Sequence, residues 1–143
     1  MKIALAADHG GFEMKEQIKK YLSDKCMEIL DLGTDSAESV DYPKYGKACG
    51  EAVIAGKADL GIVFCGTGIG ISIAANKVKG IRCALATSPI MAELSRKHNN
   101  ANILAIGGRI LSYCEATAII DAWLASEFEG GRHQRRIDML DQM

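Results

Sequence analysis

The sequence predicts one three-layer α/β domain, a five-stranded parallel sheet with helices on both faces and a further helix at the C-terminal end. Three observations predict it. Five short apolar runs recur along the chain, each too continuously apolar to carry a wet face. Amphipathic stretches with helical spacing separate them. The 143 residues, 48% of them hydrophobic, can support one core that buries roughly 70% of the unfolded surface, but hardly two full domains.

The expected strands are Ile3 to Ala7, Ile29 to Leu32, Leu60 to Phe64, Cys83 to Ala86 and Ile103 to Ile106. Between the first two, Met14, Ile18, Tyr21 and Leu22 repeat with helical spacing. Between the second and third, Tyr45, Ala48, Cys49, Ala52 and Val53 do the same. Ser88-Pro89 reads as an N-cap with proline at the first helical position. Ser112-x-x-Glu115 reads as a capping box that opens the stripe Ala116, Ile119, Ile120, Trp123, Leu124. Gly130-Gly131 is expected to end that helix and admit a final one, Arg132 to Asp141, with Ile137 and Leu140 on its apolar side.

Composition excludes several function classes. The 17 Lys+Arg against 18 Asp+Glu leave a net charge of −1, which lacks the single-sign excess of a nucleic-acid or acidic-membrane binder. The apolar opening Lys2 to Ala7 stops at Asp8, short of an export signal. The charge-free stretch Leu60 to Asn76 is broken by glycines, Thr67 and Ser72, short of the ~18 apolar residues of a spanning helix. Five cysteines, at 26, 49, 65, 83 and 114, form no C-x-x-C pair, so a cytoplasmic chain with free thiols is expected. Cys26, Cys49, Cys83 and Cys114 are read as small buried apolar residues. No His/Cys/Asp/Glu set shows metal-ligand spacing along the chain.

In a doubly wound sheet, ligands sit beyond the carboxyl ends of the strands, near the point where strand order reverses. Three such ends are unusual: Asp8-His9-Gly10-Gly11, Cys65-Gly66-Thr67-Gly68-Ile69-Gly70, and Gly107-Gly108-Arg109. They are expected to converge on one edge. Alternating glycines before a helix let backbone N–H groups approach an anion at the positive end of the helix dipole. The spacing is neither the dinucleotide fingerprint nor a phosphate loop with lysine. A close strand–helix turn would also use such glycines.

Cys65 stands where that strand meets the helix N-terminus, a setting that favours thiolate, and Thr67 adds a hydroxyl able to relay protons. A buried strand-end cysteine is the plainer alternative. His98 ends the helix that starts near Pro89, on the side of Met91 and Leu94. It is either a capping partner of the helix dipole or, with His9, an acid/base group. Arg132 and Arg136, four apart on the last helix, can present two forks to one phosphate, or form a solvated basic face.

These residues resemble the ribose-5-phosphate isomerase B and galactose-6-phosphate isomerase group of sugar-phosphate isomerases. The likeness spans the chain and rests on A-x-D-H-G-G-F at 6–12, C-G-T-G-I-G-I-S-I-A-A-N-K at 65–77, H-N-N at 98–100, G-G-R at 107–109 and R-H-Q-R-R at 132–136. It implies a Rossmann-like sheet in a homodimer or dimer of dimers, with active sites shared between subunits. It also implies a pentose phosphate role, a small sugar phosphate as ligand, and neither metal nor organic cofactor.

By the same resemblance, Cys65 is the base that moves a proton between C2 and C1, and Thr67 shuttles protons. Gly66, Thr67, Gly68, Ile69 and Gly70 cradle the enediolate. His98 opens the sugar ring, Asp8 assists or orients hydroxyls, and Asn99 binds the sugar from the neighbouring subunit. Arg132 and Arg136 hold the phosphate, with His9 and Arg109 lining the site and Tyr42 placing the sugar. A branch of the family carries serine for the cysteine and a glutamate base further on. Here Cys65 is present and Ala74-Ala75 offer no carboxylate. The expected reaction is ribose 5-phosphate to ribulose 5-phosphate. The alternatives are a 6-phosphohexose isomerase (allose or galactose 6-phosphate), a non-catalytic sugar-phosphate sensor, and a flavodoxin-like electron carrier.

Overall fold

The computed structural model describes residues 1–143. In chain order the elements are β1 (Lys2–Ala7), α1 (Phe12–Asp24), β2 (Glu28–Asp31), α2 (Tyr42–Ile54), β3 (Leu60–Cys65), α3 (Ile69–Asn76), β4 (Cys83–Leu85), α4 (Pro89–Asn99), β5 (Ile103–Gly107), α5 (Tyr113–Leu124) and α6 (Arg132–Asp141). The five strands form one sheet of order β2-β1-β3-β5-β4, with every pairing parallel. From β1 the chain steps to β2 on one side and then to β3 on the other. The crevice at the ends of β1 and β3 is therefore the reversal point at which such sheets bind ligands.

Alternation along the strands divides the core in two. Ile3, Leu5, Ile62, Phe64, Leu104 and Ile106 pack with α1, α4 and α5 around the fully buried Trp123. Ala4, Ala6, Val63, Cys65 and Ala105 face α2 and α3, with Cys49 and Ile71 between. The second face is built from small side chains, so its helices lie close. A Cβ on Gly61 would stand 2.5 Å from Cys49 Sγ.

Both N-terminal helix signals act as their chemistry dictates. Ser88 Oγ accepts the Met91 N–H, and Ser112 and Glu115 exchange the reciprocal bonds of a capping box. Four expectations need correction. The outer strands β2 and β4 are only partly buried, because a sheet edge has a neighbour on one side alone. The fifth helix ends at Leu124, not at Gly130-Gly131. After it the Ser126 hydroxyl turns back to Ala122 O, and the Glu129 N–H joins Lys97 O of α4. The glycine pair instead forms the entry to α6, with φ of 68° and 60°. Finally, Cys26 and Cys114 are exposed and Cys83 is half-buried. Leu140 is exposed too, leaving Ile137 to anchor α6.

One lysine of α1, Lys15, lies fully buried. Lys15 Nζ is fully enclosed and donates to both Asp31 oxygens at 2.9 and 3.0 Å and to Glu16 at 2.9 Å, while Asp31 also accepts Lys19 and the Gly33 N–H. Gly33 O in turn accepts the Ala7 N–H, which ties this ion cluster to the exit of β1. Burial alone would raise the Asp31 carboxyl, but the bonds from Lys19 and Lys15 outweigh it and hold the carboxyl below its ordinary 3.8. A depressed native value stabilises the fold above the unfolded value, and the contribution is lost as pH falls through the native one. Asp31→Asn, which leaves Lys15 only the half-exposed Glu16 carboxylate as counter-charge, is expected to cost about 1.5–3 kcal/mol at neutral pH. It should also flatten the loss of stability on acidification below pH 3.8, as urea melts across pH will measure.

Candidate active site

Three loops meet beyond β1, β3 and β5, as the sequence leads one to expect. Gly108 N–H donates to Cys65 O at 2.8 Å, and Arg109 N–H to Gly66 O at 2.9 Å. A Cβ on Gly10 would sit 2.9 Å from Gly66 N, and one on Gly107 only 2.6 Å from Thr67 O. Only glycine permits these backbones to approach so closely.

Cys65 closes β3, nearly buried, and its sulfur accepts the Gly68 N–H at 3.1 Å at the start of α3. Gly68 caps that helix at φ +80°, in the left-handed region. Burial drives the Cys49 thiol up to about 12, so it acts as an inert apolar group. Gly68→Ala places a Cβ 2.7 Å from Leu85 Cδ1 and 3.0 Å from Gly107 N. The combined left-handed strain and overpacking are expected to cost about 2–5 kcal/mol. Chemical denaturation is the check.

Asp8 is buried at 7% exposure, and its Oδ1 accepts the N–H groups of Gly10 at 2.9 Å and Gly11 at 3.2 Å. Its Oδ2 takes no protein donor. His9 Nδ1 accepts the Val40 N–H at 3.2 Å, which leaves Nε2 as the protonated nitrogen when the ring is neutral. Thr67 is exposed, its Oγ1 accepting from Ile69 N. The Tyr42 ring lies over Gly70, where a Cβ would be 2.7 Å from it. The Arg109 side chain runs past Gly66. Asp8, His9, Tyr42, Cys65, Gly66, Thr67, Gly68, Ile69, Gly70 and Arg109 thus gather at one edge of the sheet.

His98, Asn99, Arg132 and Arg136 do not join them. Helix α4 starts at the same edge with Ser88 and runs 11 residues, about 16 Å, so its C-terminal His98-Asn99 reaches the opposite edge. Arg82, just before β4, fixes them there. Its guanidinium donates to Asn99 O at 2.9 Å and to Asn100 O, and grips Asp141 of α6 at 2.7 and 3.0 Å. One side chain thereby caps α4 and sets α6 beside it.

At this second edge the His98 and His133 rings stack, 4.4 Å between centroids and 14° between planes. Glu129 Oε1 lies 3.6 Å from His98 Nε2 and 3.8 Å from His133 Nε2. Desolvation, then the neighbouring His98 and Arg132, hold the His133 imidazole below its ordinary 6.5. Arg132 and Arg136 are exposed on either side of it. A cleft of about 540 Å³ borders this edge. It touches Arg82, Asn99 and Asp141 but not Cys65. Sequence reasoning gave no role to Arg82, Glu129 or His133. The single hint was that Glu129 and His133 stand four apart.

The geometry is that of an α/β protein with a cysteine and a glycine-rich helix entry at the reversal point and a separate basic edge. A profile of the Ribose/Galactose Isomerase family matches residues 3–140. The chain belongs to that family. It is 48% identical over 139 residues to ribose-5-phosphate isomerase B of Escherichia coli, covering 97% of this chain and 93% of the relative. Among solved structures it is similar to ribose-5-phosphate isomerase B of Clostridium thermocellum, with TM-score 0.98, 51% identity and coverage of 99% and 96%. It is also similar to the Mycoplasma genitalium enzyme with bound ribulose-5-phosphate, with TM-score 0.94, 41% identity and coverage of 99% and 94%. No helix of the chain is long and apolar enough to cross a membrane.

Proposed function

We propose that this chain interconverts ribose 5-phosphate and ribulose 5-phosphate in an active site assembled from two copies. The observation that carries the reading is Cys65, its sulfur on the Gly68 amide and the buried Asp8 carboxylate on the adjoining loop. The names of the E. coli and C. thermocellum relatives, and the ribulose-5-phosphate bound by the M. genitalium relative, supply the substrate.

In the open-chain aldose the Cys65 thiolate takes the proton from C2. The electron pair forms the C1–C2 double bond and charge moves to the carbonyl oxygen. In this reading the backbone N–H groups of the Gly66–Gly70 loop not already given to Cys65 Sγ and Thr67 Oγ1 stabilise that charge as it develops, where stabilisation lowers the barrier most. Thr67 passes the hydroxyl proton from O2 to O1, and the thiol returns its proton to C1 to give the ketose. Because the proton transfer is intramolecular, a base, an acid and an oxyanion site suffice.

Ring opening and phosphate binding fall to the partner's His98, Asn99, Arg132 and Arg136, with Arg109, His9 and Tyr42 on the Cys65 side. Two features support this assembly. The two residue sets lie at opposite edges of one subunit. Ile69 and Ile73 of α3, 52% and 56% exposed, offer an apolar face beside the cradle, and Ile90, Met91 and Leu94 offer another on α4. We assign the cytoplasm as the compartment, since the five thiols are all unpaired.

The test is to incubate the purified chain with ribose 5-phosphate and follow ketose formation, with allose 6-phosphate and galactose 6-phosphate in parallel. Faster turnover of the pentose supports the reading. Turnover confined to a hexose reassigns the substrate, and tight binding with no turnover of any makes the chain a sensor.

A further inference from the structure

We propose that His98, Glu129 and His133 form a binding site for one divalent transition-metal ion of the zinc class, and that its occupancy stops isomerisation by sequestering His98. The inhibitory half rests on the role given to His98 above. The binding half rests on geometry alone.

One nitrogen from each ring and one Glu129 oxygen all lie within 4.8 Å of one another. Two imidazoles and one carboxylate, with room for water in the remaining position, are a ligand set that zinc takes in open sites. Two nitrogen donors disfavour magnesium and calcium, which prefer oxygen. Around a tetrahedral ion with bonds of about 2.0–2.1 Å, donors stand about 3.3 Å apart. The Glu129 oxygen is already 3.6 and 3.8 Å from the two nitrogens. Those separations exceed a hydrogen bond, so closing onto an ion breaks none.

The backbone brings the donors together before any ion arrives. The Glu129 N–H is bonded to Lys97 O at 3.1 Å, next to His98, and Glu129 and His133 lie four apart at the entry to α6. The His133 side chain is 9% exposed and forms the floor, while His98 and Glu129, at 39% and 52%, form an open rim. The near-parallel rings must turn toward each other for both lone pairs to meet one ion, and the exposed His98 has the freedom to do so. Arg132 and Arg136 oppose a cation, and Lys97 is occupied by Glu93. The geometry therefore describes a moderate, reversible site rather than a structural one.

The experiment titrates the purified full-length chain with Co²⁺ and follows visible absorption and ribose 5-phosphate turnover on the same samples. Bands from a nitrogen/oxygen site are separable from the sulfur-to-metal charge transfer that Cys65, Cys26 or Cys114 would give. The expected result is one equivalent per chain without thiolate bands. Inhibition should saturate at the same concentrations and reverse with a chelator. Glu129→Gln, on an exposed segment where folding is not at risk, should weaken binding about tenfold or more and shift inhibition equally, with metal-free turnover retained. His133→Asn, checked for fold by circular dichroism, should do the same to binding. Absent binding, or a spectrum dominated by thiolate and unchanged by Glu129→Gln, overturns the site. Saturated binding at these three residues with turnover intact overturns the inhibitory half and, with it, the role of His98, while the metal site stands.

Discussion

Cys65→Ala is expected to lower kcat for ribose 5-phosphate by about 10²–10⁴-fold, the range lost with a positioned acid/base group, while KM changes little. The sulfur touches the reacting carbon in this account, whereas phosphate affinity comes from arginines at the other edge. An interaction that matters only as the proton moves shows in kcat. The substitution removes one sulfur from a nearly buried position in a cluster already rich in alanines, so the fold should persist. Steady-state kinetics with a circular dichroism control are the check. Cys65→Ser, which keeps the shape but loses the acidity, should be nearly as slow. A loss confined to KM would remove Cys65 from the proton transfer and leave it a wall of the sugar pocket.

The strands and most helices were legible because local chemistry and burial agree there. Ile3 to Ala7 and Ile103 to Ile106 are apolar on both faces because both faces are covered. The helix starts at Ser88 and Ser112 are written in their capping side chains. The end of α5 was not legible. It is set by the Glu129 amide reaching Lys97 O, a bond across sequence-distant segments that no local pattern encodes. Gly130-Gly131 looked like a stop and is a start for the same reason.

The first half of the candidate site was legible as loops, since glycine spacing reports close backbone approach. The second half was legible as residue types but not as a place. His98, Glu129 and His133 become neighbours only when α4 and α6 pack, and Arg82, which holds that packing, stands in an ordinary lysine- and glycine-containing turn. The burial of Lys15 is not legible in the sequence because a lysine next to an apolar stripe normally reaches solvent. Here Asp31 meets it from the adjoining strand.

The account's central claim is that each active site draws Cys65 from one copy and His98 from another. It is tested most directly by mixing two inactive variants, Cys65→Ala and His98→Asn, unfolding them together and refolding, with each alone as control. In a mixed two-fold dimer one site carries both lesions and the other carries none. Equimolar random pairing then returns about one quarter of the wild-type rate, far above either variant alone. A mixture no more active than its parents, with mixed dimers demonstrated by differential labelling, would contradict the account and place Cys65 and His98 in the same subunit's site.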